Sequence, residues 1–146
     1  MLKDRLLDCT PAERQAILTA LREAMKAERR VLFAYVHGSF TERRPFHDID
    51  VAVYLDLADP QAMRVFALQL AADLERALSR LFDQYLPLDI RVLNHAPLGF
   101  RYHALRGTLL LSRDDDLLAQ ILAQTASRYL DLKPLWQQAL KEAMSA

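Results

Sequence analysis

The chain has 146 residues, of which 52% are hydrophobic and 26% are charged, and its formal net charge is zero. This balance is typical of one globular domain and disfavours a broad electrostatic interaction with nucleic acid or an acidic membrane. The only cysteine, Cys9, excludes an internal disulfide and a cysteine-rich metal site. No apolar run has membrane-spanning length and no signal-peptide core is present, so we expect a cytoplasmic protein without a membrane partner.

The first predicted element is a helix that begins after Thr10. Thr10 can cap the helix, Pro11 suits its first position, and Glu13 completes a capping box. The helix is predicted to end near Glu28. Its core-facing residues recur at helical spacing: Ile17, Leu18, Leu21 and Met25.

Two apolar stretches follow, VLFAYVHG (residues 31–38) and DIDVAVYL (residues 48–55), and both are predicted to be buried strands. The connection from Ser39 to His47 is too short for a crossover helix. It therefore predicts two adjacent strands joined by a loop with a functional role.

A long helix is predicted from Pro60 to about Leu86, where Pro87 stops it. Its predicted apolar face consists of Met63, Ala67, Leu70, Leu74, Ala77 and Leu81. A third strand (88–94), a short helix (97–107) and a fourth strand (108–112) come next. A helical tail from about residue 114 should be kinked or split at Pro134. The order α-β-β-α-β-α-β-α predicts a single small α+β or α/β domain over residues 1–146.

The second strand begins with two carboxylates on one face. Asp48 and Asp50 are two residues apart, so their side chains point the same way while Ile49 turns into the core. Two such carboxylates repel each other unless a cation lies between them. Mg²⁺ commonly uses one or two carboxylates together with substrate phosphates. The pattern therefore indicates a metal site, although a bare D-x-D also occurs at solvated strand ends.

Gly38-Ser39 at the end of the first strand adds a candidate phosphate-binding turn. Glycine allows a close backbone approach, and the Ser39 hydroxyl with the following amides can hold a phosphate. Alone, Gly-Ser is an ordinary turn. Asp89 is the only acid in the third strand, and it can join Asp48 and Asp50 if that strand lies beside the second. Three acids and a phosphate loop are the parts of a two-metal nucleotidyl-transfer site.

The pattern HGSF…HDIDVAVYL…LDIRVLN resembles the nucleotidyltransferases of the DNA polymerase β type. More narrowly, it resembles the minimal nucleotidyltransferases (MNT) that are paired with HEPN toxins, the MntA-type antitoxins. The resemblance extends over nearly the whole chain, through LDIRVLNHAPLGFRYHALRGTLLLSRDD and RYLDLKPLWQQALKEAM. It implies an α+β nucleotidyltransferase fold, a small mixed sheet with helices packed on it.

The resemblance also implies roles for individual residues. Asp48, Asp50 and Asp89 match the catalytic, metal-binding acids, and Gly38 and Ser39 match the pair that holds the nucleotide phosphates. The eight residues between Ser39 and Asp48 form a shorter loop than is usual in the family, with FTERR in place of the common Arg-Gly. In that loop the candidate nucleotide contacts are Arg43 and Arg44. Both arginines can equally belong to a solvated loop tip or contact a partner.

The implied activity is transfer of AMP from ATP, with Mg²⁺, to a tyrosine hydroxyl of a cognate HEPN ribonuclease toxin, which is thereby neutralised. The implied assembly is a hetero-oligomer with the toxin, without direct contact to nucleic acid. Two alternatives stay open. The enzyme can act on a small molecule such as an aminoglycoside, or the protein can be an antitoxin that acts by binding alone.

Two further features have competing interpretations. His37 lies among apolar strand residues and is predicted to be structural rather than a catalytic base. An aromatic and apolar stretch near Pro134 is expected to pack in the core, with an exposed partner patch as the alternative. That stretch contains Tyr129, Leu132, Leu135 and Trp136.

Overall fold

A computed structural model describes residues 5–145 of the chain. The helices are α1 (Pro11–Lys26), α2 (Pro60–Leu81), α3 (Leu98–Ala104) and α4 (Asp115–Ser145). The strands are β1 (Val31–His37), β2 (Ile49–Leu55), β3 (Leu88–Val92) and β4 (Thr108–Ser112). The predicted order of elements is confirmed. Among the described residues, no helix has both the length and the apolar character needed to cross a membrane.

The four strands form one mixed sheet in the order β3-β2-β1-β4. Strand β1 is antiparallel to both β2 and β4, whereas β2 and β3 are parallel. The end of β1 and the starts of β2, β3 and β4 therefore meet at one edge of the sheet. The residues that the sequence singles out as functional lie at this edge.

Helices cover both faces of the sheet. Helices α1 and α2 pack on one face, where Leu21 and Leu74 belong to the same cluster as Val36 and Val51. Helices α3 and α4 contribute to a second cluster that includes Phe33 of β1. Residues alternate between the two faces along each strand, which explains why β1 and β2 are apolar almost throughout. The predicted α+β architecture is confirmed.

Helix α1 begins as predicted and ends slightly earlier. Thr10 and Glu13 form the capping box, with Pro11 in the first turn. The helix ends at Lys26, before the predicted Glu28. Its last turn is tightened, because the amide of Glu28 donates to the carbonyl of Met25, three residues back, at 3.0 Å.

Helix α2 ends five residues before the predicted boundary. Beyond Leu81 the chain turns at Asp83, which has a φ of 49°. The amide of Leu86 then donates to the Ser79 hydroxyl at 3.0 Å. This turn places the fully buried Leu86 in the core, so the final helical turn predicted from the sequence is wrong. Leu78 is buried, whereas the predicted face residues Ala77 and Leu81 are exposed.

Helix α4 is continuous across Pro134, so the predicted split is wrong. Proline removes one helical hydrogen bond, but residues 130–145 are all exposed and solvent can satisfy the free carbonyl of Leu130. Only the first half packs on the sheet, through Leu118, Ile121 and Thr125.

The expectation of core packing near Pro134 is also wrong. The exposed fractions are 37% for Leu132, 64% for Leu135 and 44% for Trp136. The alternative interpretation, an exposed apolar patch, is the one that agrees with the structure. Tyr129 is partly buried because its ring stacks on that of Tyr102, with centroids 3.7 Å apart.

Candidate active site

Three carboxylates meet at the edge of the sheet described above. Asp48 directly precedes β2, Asp50 lies in it, and Asp89 lies opposite Asp50 on the parallel strand β3. One carboxylate oxygen from each residue can be chosen so that all three lie within 4.8 Å of one another. The buried Ile49 fixes the strand between the two neighbouring acids. The predicted juxtaposition is therefore present, and the roles of the three acids in metal binding and catalysis stay predictions.

The electrostatics of this cluster favour a cation. Burial raises the pKa of Asp50 to about 7, and the charge of Asp48, a hydrogen bond with Asp48 and the charge of Asp89 act in the same direction. The nearby Arg91 opposes this shift. Because like charges at this separation cannot all ionise freely near neutral pH, a divalent cation would relieve the repulsion. Carboxylate oxygens are also the ligands that Mg²⁺ prefers.

Gly38 brings the backbone directly against the cluster. Its φ is 80°, a conformation that other residues rarely adopt. A Cβ atom at this position would lie 2.6 Å from Oδ2 of Asp50. Both the conformation and the space therefore require glycine, and Ser39 is the next residue in the chain.

The segment after Ser39 is a compact set of turns rather than an open loop. The carbonyl of Gly38 accepts hydrogen bonds from the amides of Thr41 and Glu42, at 3.1 and 3.2 Å. The carbonyl of Ser39 accepts from the amide of Arg44 at 3.2 Å. The Phe40 side chain is buried, so the short connection is anchored in the core.

The two loop arginines are exposed. Arg44 forms an ion pair with Glu42, and Arg43 adopts a φ of 57°. Among the described residues, neither arginine belongs to the lining of the cleft beside Gly38. Their contact with a nucleotide stays a prediction.

The cleft beside Gly38 has a volume of about 410 Å³. It lies between the turns after β1 and the connection from α3 to β4, and its lining consists of His37, Gly38, Thr41, Glu42, His103, Arg106, Gly107 and Thr108. Gly107 packs so closely that a Cβ atom there would lie 2.2 Å from the carbonyl oxygen of Val36. Arg106 and Gly107 were not predicted from the sequence. Gly107 is one of only three glycines in the chain and directly precedes a strand, which could have indicated a close backbone contact there.

A second cleft of about 230 Å³ lies on the β3 side of the acids and is lined in part by His47, Asp48 and Asp89. Two of the three acids therefore line the second cleft, whereas Gly38, which lies against Asp50, lines the first.

Arg91 is a cation beside the acids that the sequence analysis also missed. Its Nε donates to Oδ2 of Asp89 at 3.2 Å, and its guanidinium lies 5.5 Å from the centre of the Phe100 ring. These contacts orient the carboxylate of Asp89 without burying it.

His37 packs edge-on against Phe100, with ring centroids 5.6 Å apart. Burial, followed by the charge of Arg91, lowers the pKa of His37, while Asp89 and Asp48 oppose the shift. A packed, neutral imidazole agrees with the structural role predicted for this residue.

Comparison with known proteins identifies the family. The family model described as "Polymerase beta, Nucleotidyltransferase" matches residues 19–116, which is more than half of the chain. The chain belongs to this family. It is a nucleotidyltransferase, as its sequence predicted. None of the curated proteins compared with the chain matches it.

Several solved structures share the fold of this nucleotidyltransferase. One is from a complex of an MNT antitoxin with a tri-AMPylated HEPN toxin of Shewanella oneidensis. The TM-score of this match is 0.63 at 21% identity, and the alignment covers 90% of this chain and 98% of the matched chain. The MntA–HepT toxin–antitoxin gives 0.62 at 20% identity, with coverages of 89% and 98%. A toxin–antitoxin with AMP-PNP gives 0.60 at 19% identity, with coverages of 87% and 98%. The narrower resemblance noted in the sequence is to this same group.

Proposed function

We propose that this nucleotidyltransferase is an antitoxin that transfers AMP from ATP to a tyrosine hydroxyl of a cognate HEPN toxin. The observation that carries the proposal is the three-carboxylate cluster against Gly38, set in this fold. Proteins of similar fold occur with an AMPylated HEPN toxin and with AMP-PNP, which supports ATP as the donor and a protein as the acceptor.

The residues present suit a divalent cation, for which we propose Mg²⁺. Asp48, Asp50 and Asp89 would hold it, since they supply clustered oxygen ligands whose mutual repulsion it would relieve. When bound, the ion supplies charge stabilisation to the phosphate oxygens during transfer.

Gly38 and Ser39 would bind the nucleotide phosphates. The backbone of Gly38 lies against Asp50 and also lines the cleft of about 410 Å³, where the hydroxyl and amide of Ser39 would donate to a phosphate. In this proposal Arg43 and Arg44 contact the triphosphate tail, where a guanidinium can donate two parallel hydrogen bonds.

The transfer is an in-line substitution at the α-phosphorus of ATP. The tyrosine oxygen forms the new bond, the bond to the oxygen bridging to the β-phosphate breaks, and pyrophosphate leaves. Asp89 would accept the tyrosine proton; its side chain is 37% exposed and its ion pair with Arg91 orients the carboxylate, which supports this role.

The exposed patch on α4 would bind the toxin. We define the α4 patch as Leu132, Leu135, Trp136, Leu140 and Met144, all exposed in the second half of the helix. Contiguous exposed apolar surface of this kind marks protein interaction sites, and aromatic residues are enriched at their centres. The match to complexes of MNT antitoxins with HEPN toxins supports a hetero-oligomer with such a partner.

Rescue of cells that express the cognate toxin tests this function. The double variant Asp48→Asn, Asp50→Asn removes two charges while nearly preserving side-chain shape, so it should fold. We expect wild type to rescue growth and its toxin to gain roughly 329 Da for each AMP attached to a hydroxyl. With the double variant, growth should not be rescued and the toxin should gain no mass. Full rescue by the folded double variant would favour an antitoxin that acts by binding alone, and an unmodified toxin beside an AMP-modified aminoglycoside would favour a small-molecule enzyme.

A further inference from the structure

Among residues 5–145, one buried cation lies away from the acid cluster. Arg14 of α1 is only 6% exposed, although its side chain carries a permanent charge. Its guanidinium lies beside two aromatic rings that contact each other edge-on, 5.3 Å from the centre of Phe40 and 5.5 Å from that of Phe46. A charge in such a place is unfavourable unless its donors are paired.

The guanidinium of Arg14 donates hydrogen bonds to the turns that follow Ser39. Nη1 donates to the carbonyl of Phe40 at 2.5 Å, and Nη2 donates to the carbonyl of Arg44 at 3.0 Å. Nη2 also contacts Oδ1 of Asp8 at 3.1 Å. One planar guanidinium thus joins the two ends of residues 40–44, which the single ammonium group of a lysine cannot do in the same way.

A second contact holds the chain two residues beyond this segment. The amide of Leu7 donates to the carbonyl of Phe46 at 2.7 Å, and the amide of Phe46 donates back to the carbonyl of Leu7 at 2.8 Å. We call three residues the clasp, because together they hold residues 40–46: Leu7, Asp8 and Arg14. All three precede residue 19, where the match to the family model begins.

We propose that Arg14 is a positioning residue for the phosphate-binding segment. It fixes the backbone of residues 39–44 so that the amide and hydroxyl of Ser39 already point to where the phosphates bind. A segment ordered in advance loses less conformational entropy when the nucleotide binds. The link to nucleotide affinity rests on the proposed function, whereas the ordering of the segment does not.

Arg14→Met tests the proposal, because methionine keeps an apolar chain against the two rings and has no donor. The matched control is Arg22→Met on the same helix, since Arg22 donates to the carbonyl of Leu110 in β4 at 2.9 Å. We expect calorimetry with ATP and Mg²⁺ to show about tenfold weaker binding for Arg14→Met, because the segment must then be ordered when the nucleotide binds. Arg22→Met should bind like wild type.

Hydrogen exchange without nucleotide provides the second measurement. The amides of Thr41, Glu42 and Arg44 should exchange faster in Arg14→Met, while amides in the middle of α1 stay protected. Arg14→Lys, which keeps the charge, should fall between Arg14→Met and wild type in both measurements, and it serves as the test variant if Arg14→Met does not fold.

Two results would overturn the proposal. The first is unchanged exchange of these amides in a folded Arg14 variant. The second is faster exchange with unchanged ATP affinity, which would leave the clasp a purely structural feature. If wild type itself fails to bind ATP, the proposed function fails, and the exchange measurement still tests the ordering of the segment.

Discussion

At the scale of single residues, Asp50 combines the strongest constraints in the site. It is half-buried, has Asp48 and Asp89 beside it, and lies against the backbone of Gly38. Its carboxylate is therefore hard to ionise, and it leaves no space for a side chain at Gly38. These two constraints lead to separate predictions.

The first concerns the pH dependence of stability in metal-free protein. The pKa of Asp50 rises on folding from 3.8 to about 7, so the folded state binds the proton more tightly than the unfolded state does. The resulting stabilisation is fully present below the unfolded pKa and is lost as the pH rises through the folded one. Asp50→Asn cannot titrate, so it should lack this loss.

Urea denaturation of both proteins in EDTA, at about pH 5 and about pH 8, measures the effect. Wild type should lose more unfolding free energy between the two pH values than Asp50→Asn does. Parallel pH profiles for the two proteins would contradict the shifted pKa.

The second prediction concerns Gly38→Ala. The positive φ alone should reduce the free energy of unfolding by about 1–2 kcal/mol. The added Cβ, 2.6 Å from Oδ2 of Asp50, must also displace that carboxylate, so binding of ATP with Mg²⁺ should be lost. Gly99→Ala is the matched control, because a Cβ there meets nothing within 4 Å. Calorimetry showing normal ATP binding by Gly38→Ala would contradict this geometry.

At the scale of elements, the parallel pair β2–β3 brings the third acid to the other two. The register places Asp89 opposite Asp50, 39 positions away in the chain, because α2 crosses over between the strands. The strands, and the three acids as candidate site residues, could be predicted from the sequence. Capping residues, apolar runs and a lone acid in a strand are all local signals. The end of α2 could not be predicted in this way, because the burial of Leu86 depends on tertiary packing.

Other parts of the site escaped prediction for the same reason. Arg14 reaches the carbonyls of Phe40 and Arg44 from 26 and 30 residues away. Arg106 faces the cleft only because Gly107 packs against the end of β1. Such partners depend on how elements pack together, and no spacing within one element reveals them.

Asp89→Asn tests the assignment of the β3 carboxylate. The variant should fold and bind ATP, because Asp48 and Asp50 are unchanged, yet it should transfer AMP about 100-fold more slowly, as expected when a general base is removed. Single-turnover transfer to the toxin at saturating ATP provides the rate. A near-normal rate would mean that Asp89 only orders local hydrogen bonds, such as the one from Arg91.

The second half of α4 gives a prediction that separates binding from catalysis. Trp136→Glu changes an exposed residue, so the free energy of unfolding should change by less than about 0.5 kcal/mol. Affinity for the toxin should fall by at least about tenfold if Trp136 is a central contact of the α4 patch. The neighbouring exposed Gln137→Glu adds the same charge and is the control. Equal toxin affinities for the two variants, measured by calorimetry, would place the interface elsewhere.

At the scale of the whole molecule, the proposed function uses the sheet edge, the clasp and the α4 patch together. The edge would hold the reacting groups, the clasp would order the phosphate-binding segment, and the patch would bind the toxin. An enzyme that transfers AMP in this way would release its modified partner and act again, whereas a protein that only masks its partner could not.

The most direct test is the intact mass of the toxin after incubation with a substoichiometric amount of this protein, ATP and Mg²⁺. With the toxin in roughly tenfold molar excess, we predict that the whole toxin pool gains AMP, in steps of roughly 329 Da. The Asp48→Asn, Asp50→Asn variant should leave the mass unchanged. A toxin mass that stays unchanged with wild type, while the toxin is nevertheless inhibited one to one, would contradict the catalytic account.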